Sequence, residues 1–249
     1  MASKATGKVR LDRLLVERQL AQSRERARAL IMAGVVVVDD HRRDKAGDMV
    51  NPTSTIRLKG SDIPYVSRGG LKLQQALENF HINPRGWICL DIGSSTGGFT
   101  DCLLQHGAEM VHAVDVGTNQ LDWRLRNHPQ VILREQTDIR RYVAPAGTTF
   151  DLIVTDVSFI SLTRIFDPIC RLASSGTYFI GLVKPQFELE RDKIGKGGIV
   201  RKDEYRLEAL QKVIKQWQVD GLWEILEYQE CQTHGTDGNV EFILLARRT

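Results

Sequence analysis

The sequence has no apolar run that approaches the roughly 18 residues required by a membrane-spanning helix. Residues 1–8 lack the apolar stretch and the cleavage site of a secretory signal. Apolar residues make up 42% of the chain and charged residues 26%, which is ordinary for globular proteins in water. We therefore expect a soluble, cytoplasmic protein with no membrane partner.

Cysteine is scarce, and its spacing argues against the common metal and redox sites. The four cysteines, Cys89, Cys102, Cys170 and Cys231, form no C-x-x-C pair, and no histidine lies beside them at zinc-ligand spacing. Cys89 lies in an apolar, strand-like run, where a buried thiol behaves as a small hydrophobe. The sequence predicts neither a metal site nor a disulfide framework.

Basic charge is concentrated at one end of the chain, although the formal net charge is only +3. Residues 1–60 hold 13 Lys/Arg and 7 Asp/Glu, whereas the rest of the chain holds 21 and 24. This asymmetry predicts a polyanion-binding module beside a separate site. The 249 residues leave room for one larger α/β core. We predict a module at 1–63, a joining helix and linker at 64–86, and the core at 87–249.

Two short helices and a strand pair are predicted in the basic module. Apolar residues recur at helical spacing over residues 11–15, and a second helix follows Ser23, a good N-cap. Gly34 is a suitable C-terminal stop for that helix. The apolar runs at residues 35–38 and 56–58 predict a strand and its returning partner.

Arginines on these helices predict a face that follows a phosphate backbone. The candidates are Arg10, Arg13, Arg24 and Arg28. The alternative is a helical surface that is simply solvated by charge, but six arginines between positions 10 and 28 favour RNA. The segment has no aromatic platform for stacking single-stranded bases, which favours recognition of folded RNA. The pattern of arginines and apolar residues from position 10 to 38 resembles an S4 RNA-binding domain.

A loop of small residues follows the apolar run that ends at Asp91, and a helical pattern begins after it. Glycines let a ligand approach the backbone, and a helix N-terminus offers unpaired N–H groups. The alternative is an ordinary strand-to-helix turn. The candidate cofactor-binding residues in this stretch are Asp91, Gly93, Ser94, Ser95, Thr96, Gly97, Gly98 and Phe99.

A second acid favours a cofactor at this loop. Asp115 ends the next apolar run, 24 residues beyond Asp91, where an acid in a doubly wound sheet accepts hydrogen bonds from ribose hydroxyls. The loop matches neither the P-loop nor the G-x-G-x-x-G pattern, so a nucleoside cofactor without a pyrophosphate fits better. The loop resembles the S-adenosylmethionine loop of class I methyltransferases, particularly the FtsJ-like RNA 2′-O-methyltransferases.

Four ionisable residues, far apart in the chain, are candidates for the chemistry. Asp156 and Lys184 each end a strand-like run, so both are expected at the carboxyl edge of the sheet, where α/β active sites lie. Lys72 stands at the beginning of a helical pattern, and Glu241 lies near the start of the last strand-like run. A ribose hydroxyl must lose its proton as it attacks a methyl group, and a positioned lysine among carboxylates suits that task. The set resembles the Lys-Asp-Lys-Glu tetrad of FtsJ-like enzymes.

Taken with the S4-like segment, these motifs identify the chain as a member of the TlyA family. Members are described as rRNA cytidine 2′-O-methyltransferases, and some carry the label haemolysin. The resemblance implies a Rossmann-like class I methyltransferase domain behind a small α+β S4 domain, S-adenosyl-L-methionine as cofactor, and ribosomal RNA or ribosomal subunits as substrate. It also implies contact of Asp115 with the cofactor ribose and of Asp138 with the adenine, while Arg68 and Arg85 are further RNA-binding candidates. Ser94 stands where many relatives have alanine.

Two other functions compete with methyl transfer. A membrane-active haemolysin would need a spanning segment or a strongly amphipathic exposed helix, and the sequence offers neither. A non-catalytic ribosome-binding or assembly protein would not need all four residues of the tetrad. Exocyclic amine methylation is disfavoured because residues 156–159 lack an [ND]-P-P-[YF] turn, and cytosine C5 methylation because the strand ends lack a cysteine.

Overall fold

The structure is a computed structural model that describes residues 7–21, 23–32, 34–39, 41–58, 63–233 and 238–249. The chain divides into two compact units, Met1–Asp62 and Ile63–Thr249. The helix expected in the joining segment belongs to the second unit, because its apolar side chains pack into the core of that unit.

Within the described residues, the first unit contains two helices and five short strands. Both helices and the strand pair formed by residues 36–38 and 56–58 confirm the sequence prediction. The elements are β1 (Val9–Arg10), α1 (Leu11–Glu17), α2 (Arg24–Met32), β2 (Val36–Val38), β3 (His41–Arg43), β4 (Met49–Val50) and β5 (Ile56–Leu58). The strands form a sheet of order β3-β2-β5 and a separate β1-β4 pair. The sequence analysis missed β3, because His41, Arg42 and Arg43 carry no apolar alternation.

The second unit is built around a seven-stranded sheet of order β11-β12-β10-β9-β6-β7-β8. Its strands are β6 (Ile88–Ile92), β7 (Met110–Val114), β8 (Val131–Arg134), β9 (Phe150–Thr155), β10 (Ala173–Val183), β11 (Trp223–Glu230) and β12 (Phe242–Arg248). Its α-helices are α3 (Gly69–Asn79), α4 (Gly98–Gln105), α5 (Trp123–Arg126), α6 (Phe166–Leu172), α7 (Pro185–Glu188) and α8 (Asp203–Gln218). Strands β6 to β10 pair in parallel, and β12 runs antiparallel to β10.

The strand order creates one crevice and brings distant residues to it. The chain runs outward from β6 to β8 and then returns to the other side of β6 with β9, so the order reverses beside β6. Ligands of α/β sheets bind beyond the carboxyl ends of the strands at such a reversal. Val183 pairs with Phe242 in the β10–β12 ladder. Lys184 and Glu241, the next residues outward, therefore meet at this edge.

Hydrophobic packing on one face of the sheet fixes the position of α3. Leu73, Ala76 and Leu77 recur on one side of this helix and are buried together with Phe99 and Leu103 from the region of α4. Burial of this stripe holds the first turn of α3 beside the carboxyl edge of the sheet. Among the residues described, no helix is long and apolar enough to cross a membrane.

Candidate active site

A cavity of about 910 Å³ lies at the carboxyl edge of the second unit. Its wall is formed by the start of α3, the loops that follow β6, β7, β8, β9 and β10, and the residue that precedes β12. All four candidate catalytic residues, Lys72, Asp156, Lys184 and Glu241, line it. The structure therefore brings together side chains that are up to 169 positions apart in the chain.

The four side chains form one alternating network of charges. Lys72 Nζ lies 2.6 Å from Glu241 Oε2 and 3.9 Å from Asp156 Oδ2. Lys184 Nζ lies 2.6 Å from Asp156 Oδ1 and donates a hydrogen bond of 3.0 Å to Ser158 Oγ. Asp156 thus bridges the two ammonium groups. Its side chain keeps 21% of its surface accessible, whereas those of both lysines keep 9% and that of Glu241 3%.

Burial and charge act in opposite directions on Lys72. Burial alone would lower the pKa of this ammonium group, but the carboxylates of Asp156 and Glu241 outweigh that effect and raise the pKa above its ordinary value. Lys72 is therefore a fixed positive charge at physiological pH. It compensates two buried or half-buried carboxylates that would otherwise repel each other.

The glycine loop after β6 turns sharply into α4. Gly93 and Gly97 both adopt positive φ, 79° and 96°, and Gly97 is the N-cap of α4. Most of the loop residues named as cofactor candidates line the cavity, but Gly97 does not. A Cβ on Gly97 would meet Leu125 Cδ1 at 2.3 Å, so this glycine permits packing behind the loop.

Gly98 lets α3 approach the glycine loop closely. A Cβ at this position would lie 2.3 Å from Ser67 Oγ and 2.8 Å from the amide nitrogen of Gly70. Only a residue without a side chain allows the starts of α3 and α4 to touch. The contact brings Lys72 to the same cavity as the loop, a packing role that the sequence reading did not identify.

Asp91 and Asp115 are held by different partners. Asp91 is buried and accepts a 2.6 Å hydrogen bond from Thr100 Oγ1, and burial raises its pKa to about 7. Asp115 accepts hydrogen bonds from the backbone amides of Ser95 (2.8 Å) and Gly117 (2.7 Å). These amides orient the Asp115 carboxylate at the cavity wall and leave lone pairs on it for a further donor.

Asp138 also lines the cavity, in a polar environment. It accepts hydrogen bonds from the backbone amide and the guanidinium of Arg140, which lower its pKa to about 2. Two other cavity residues have buried polar atoms without a partner: Ser94 Oγ and Gln186 Oε1 form no hydrogen bond within the described part of the chain. Oriented carboxylates, unpartnered polar atoms and a glycine loop fit a polar, nucleoside-containing ligand.

The arginine candidates of the first unit separate into a cluster and one outlier. Arg10, Arg24 and Arg28 all donate to the buried carboxylate of Asp12, over distances of 3.0 to 3.3 Å. Their side chains remain 45 to 50% exposed, so their other N–H groups face solvent. We call these three residues the arginine triad. Arg13 instead pairs with Glu17.

The two remaining arginine candidates lie at different places in the second unit. Arg68 precedes α3 and lines the cavity. Arg85 lies in the turn before β6, at the amino end of that strand, and is not part of the cavity wall. The structure therefore brings Arg68, but not Arg85, to the candidate active site.

The sequence did not single out two aromatic residues that line the cavity, or a buried acid that follows one of them in the chain. Phe159 is 91% exposed, has a positive φ of 65°, and lies 5.3 Å from Phe187 between ring centroids. Glu188 is buried and accepts hydrogen bonds from Ser161 Oγ and the Leu162 amide, which ties the loop after β9 to α7. These residues lie in the segments that directly follow Asp156 and Lys184, and that position along the chain was the signal that could have found them.

Comparisons with known proteins find matches for both units of the chain. The FtsJ-like methyltransferase family model matches residues 65–248, and the S4 domain model matches residues 9–56. YqxC of Bacillus subtilis, named as an rRNA methyltransferase, is 45% identical over 95% of this chain and 85% of its own. The 16S/23S rRNA (cytidine-2′-O)-methyltransferase TlyA of Mycobacterium tuberculosis is 40% identical over 96% and 90%. A solved structure described as a hemolysin, from Streptococcus thermophilus, is 40% identical, covers 98% of this chain and 90% of its own, and has a TM-score of 0.74.

Proposed function

The chain belongs to the TlyA family of FtsJ-like methyltransferases with an S4 domain, and from this premise we propose that it methylates the 2′-hydroxyl of a cytidine in ribosomal RNA. One observation carries the proposal: two lysines and two carboxylates form a continuous network on the wall of a cavity that also contains a glycine loop. Such a substrate would be met in the cytoplasm.

The glycine loop and two carboxylates would hold S-adenosyl-L-methionine. When bound, this cofactor supplies an electrophilic methyl group on a positively charged sulfur. Residues 93–99 would face its methionine part, Asp115 would accept hydrogen bonds from its ribose, and Asp138 would accept one from its adenine amino group. The unpartnered Ser94 Oγ and Gln186 Oε1 offer further polar contacts in the same cavity.

The lysine–carboxylate network would handle the proton of the ribose hydroxyl. We assign the neutral amine form of Lys184 as the base that accepts this proton and becomes an ammonium group, because its Nζ contacts the more accessible of the two carboxylates in the network. Asp156 Oδ1, at 2.6 Å, stabilises the resulting positive charge and orients the lysine. Lys72 holds Asp156 and Glu241 in place through its two ion pairs. Alignment of the hydroxyl oxygen by these groups supplies much of the rate enhancement.

The first unit would bind the RNA that carries the target nucleotide. The arginine triad offers half-exposed guanidinium groups, which suit phosphate oxygens. Beside the cavity, Phe159 presents an exposed ring on which an unstacked base can lie. We retain 1–63 as the RNA-binding module, 64–86 as the joining segment and 87–249 as the methyltransferase domain.

Transfer of a labelled methyl group to ribosomal subunits tests the proposal. We expect the native chain to label rRNA, and Lys184→Met to reduce the rate by about 10²- to 10⁴-fold, because general-base catalysis contributes that factor. Lys215→Met, which removes an exposed lysine of α8 that does not line the cavity, is the matched control.

Mapping of 2′-O-methyl groups in the labelled rRNA identifies the nucleotide. Equal rates for native protein and Lys184→Met would disprove the assignment of Lys184. Absence of transfer by the native protein, with RNA binding intact, would instead favour the non-catalytic assembly protein. Label on a base rather than a ribose would reject the reaction class.

A further inference from the structure

A basic loop joins α7 to α8 along the chain. Residues 190–202, which we call the basic loop, hold five Lys/Arg and two Asp/Glu, whereas residues 63–249 as a whole hold 21 and 23. The positive charge of the second unit is therefore concentrated in one short segment. The total charge of residues 63–249 is close to zero and therefore does not reveal this local excess of positive charge.

Among the residues that the structure describes, three of the five cations of the basic loop have no acidic partner. Lys193 pairs with Glu208, and Lys202 pairs with Glu204. The other three, Arg191, Lys196 and Arg201, are exposed and form no ion pair within the described part of the chain. Unpaired cations keep their full attraction for an external anion.

The basic loop is tied at both ends to segments that contribute residues to the cavity wall. At its start it follows Phe187, a residue of that wall, by three positions along the chain. Near its end, Asn239, which is buried, accepts a 2.9 Å hydrogen bond from the Val200 amide and donates one of 2.9 Å to the Gly198 carbonyl. Asn239 lies two positions before Glu241, so the same segment carries the loop anchor and a member of the charge network.

The backbone of the basic loop is also open to a bulky partner. Gly197 and Gly198 both have φ of 77°, and a Cβ on either would meet nothing within 4 Å. The basic loop is anchored next to segments of the cavity wall, carries unpaired cations and leaves its glycine backbone uncovered. These features suit a polyanionic chain that passes the cavity. Resting on the function proposed above, we infer that the basic loop binds the phosphate backbone of the substrate RNA next to the target nucleotide.

The salt dependence of RNA binding tests this inference with variants matched in charge. Lys196→Gln/Arg201→Gln removes two unpaired cations from the basic loop. Lys215→Gln/Arg247→Gln removes two exposed cations that do not line the cavity. Each pair lowers the net charge by the same amount, and thermal unfolding of each variant confirms that the exposed substitutions leave the fold intact. The probes are an rRNA transcript and intact ribosomal subunits.

We expect the slope of log K against log salt concentration to become less negative by about 1.4 to 1.8 for the loop variant, since each lost phosphate contact changes it by about 0.7 to 0.9. The control variant should keep the native slope. Equal slopes for both variants, or a change seen with subunits but not with the rRNA transcript, would overturn the inference. Failure of the proposed function is distinguishable, because it shows as absence of methyl transfer by the native protein whatever the slopes.

Discussion

Replacement of Asp12 by asparagine should weaken RNA binding although it adds positive charge. Asp12 is buried and accepts four hydrogen bonds from Arg10, Arg24 and Arg28. These contacts hold its pKa well below the usual range for a carboxyl group. An asparagine side chain offers one acceptor oxygen and directs an NH₂ donor at guanidinium donors. The three arginines would then repel each other and lose their common orientation.

The geometry gives a rough magnitude for the loss of stability. Hydrogen bonds to charged groups contribute about 1.5 to 3 kcal/mol each, whereas exposed ion pairs contribute about 0.2 to 1 kcal/mol. The triad is half-exposed and the carboxylate is buried, and asparagine retains part of the acceptor capacity. We therefore expect the first unit to lose about 2 kcal/mol of unfolding free energy. Because the native pKa of Asp12 is lowered, the stabilisation exists above the pKa of the unfolded chain and disappears as pH falls through the native pKa.

Glu17→Gln is the matched control, because it adds the same charge but frees only Arg13, outside the triad. RNA affinity is measured by anisotropy, and local stability by hydrogen exchange, since none of the four tryptophans lies in residues 1–62. If charge alone governed binding, both variants would bind RNA more tightly. We expect Glu17→Gln to bind at least as tightly as the native chain and Asp12→Asn more weakly. Tighter binding by both would refute the reasoning.

Three other substitutions probe the second unit. Asp91→Asn should flatten the pH dependence of stability, because the native carboxyl, with a pKa of about 7, binds a proton more tightly than the same group in the unfolded chain. In denaturant titrations, the unfolding free energy of the native protein should fall by about 4 kcal/mol at most as pH rises from 4 to 8. An equal fall in the Asp91→Asn variant would contradict this origin. Glu188→Ala should lower the unfolding free energy by about 1 to 3 kcal/mol in thermal unfolding, because it leaves the buried Leu162 amide unpaired. Glu188→Gln keeps an acceptor and should lower it less, and equal losses would exclude the hydrogen bond as the cause. Phe159→Ala should raise the KM for RNA about 5- to 150-fold, as expected for a lost stacking contact of about 1 to 3 kcal/mol. Cofactor affinity and Tm should not change, since the ring is exposed, and a change in cofactor affinity would argue against stacking.

The sequence was most informative where a residue ends a strand. Asp91, Asp115, Asp156 and Lys184 each follow or close an apolar run, and parallel strands place such residues at one edge of the sheet by geometry alone. Local pattern therefore predicted most of the candidate site. The hydrogen-bond partners of Asp12 could not be predicted from such a local pattern, because they depend on how two helices pack.

Other features depend on tertiary contacts that leave no local pattern. The role of Gly98 in helix packing becomes visible only when α3 is placed against α4. The strand β3 is polar because it lies at the edge of its sheet, and Arg13 resembles the triad in sequence yet faces Glu17. Spacing reports which side of a helix a residue occupies, but not which element covers that side.

The pairing of Val183 with Phe242 makes the charge network dependent on the end of the chain. Lys72 meets Glu241 only after the terminal hairpin of β11 and β12 has joined the sheet. A nascent polypeptide would thus acquire its arginine-bearing module early during synthesis, while methyl transfer capability would arise only after the last strand emerged and docked. Truncation before residue 241 would yield an RNA binder that competes with the intact enzyme without modifying its target.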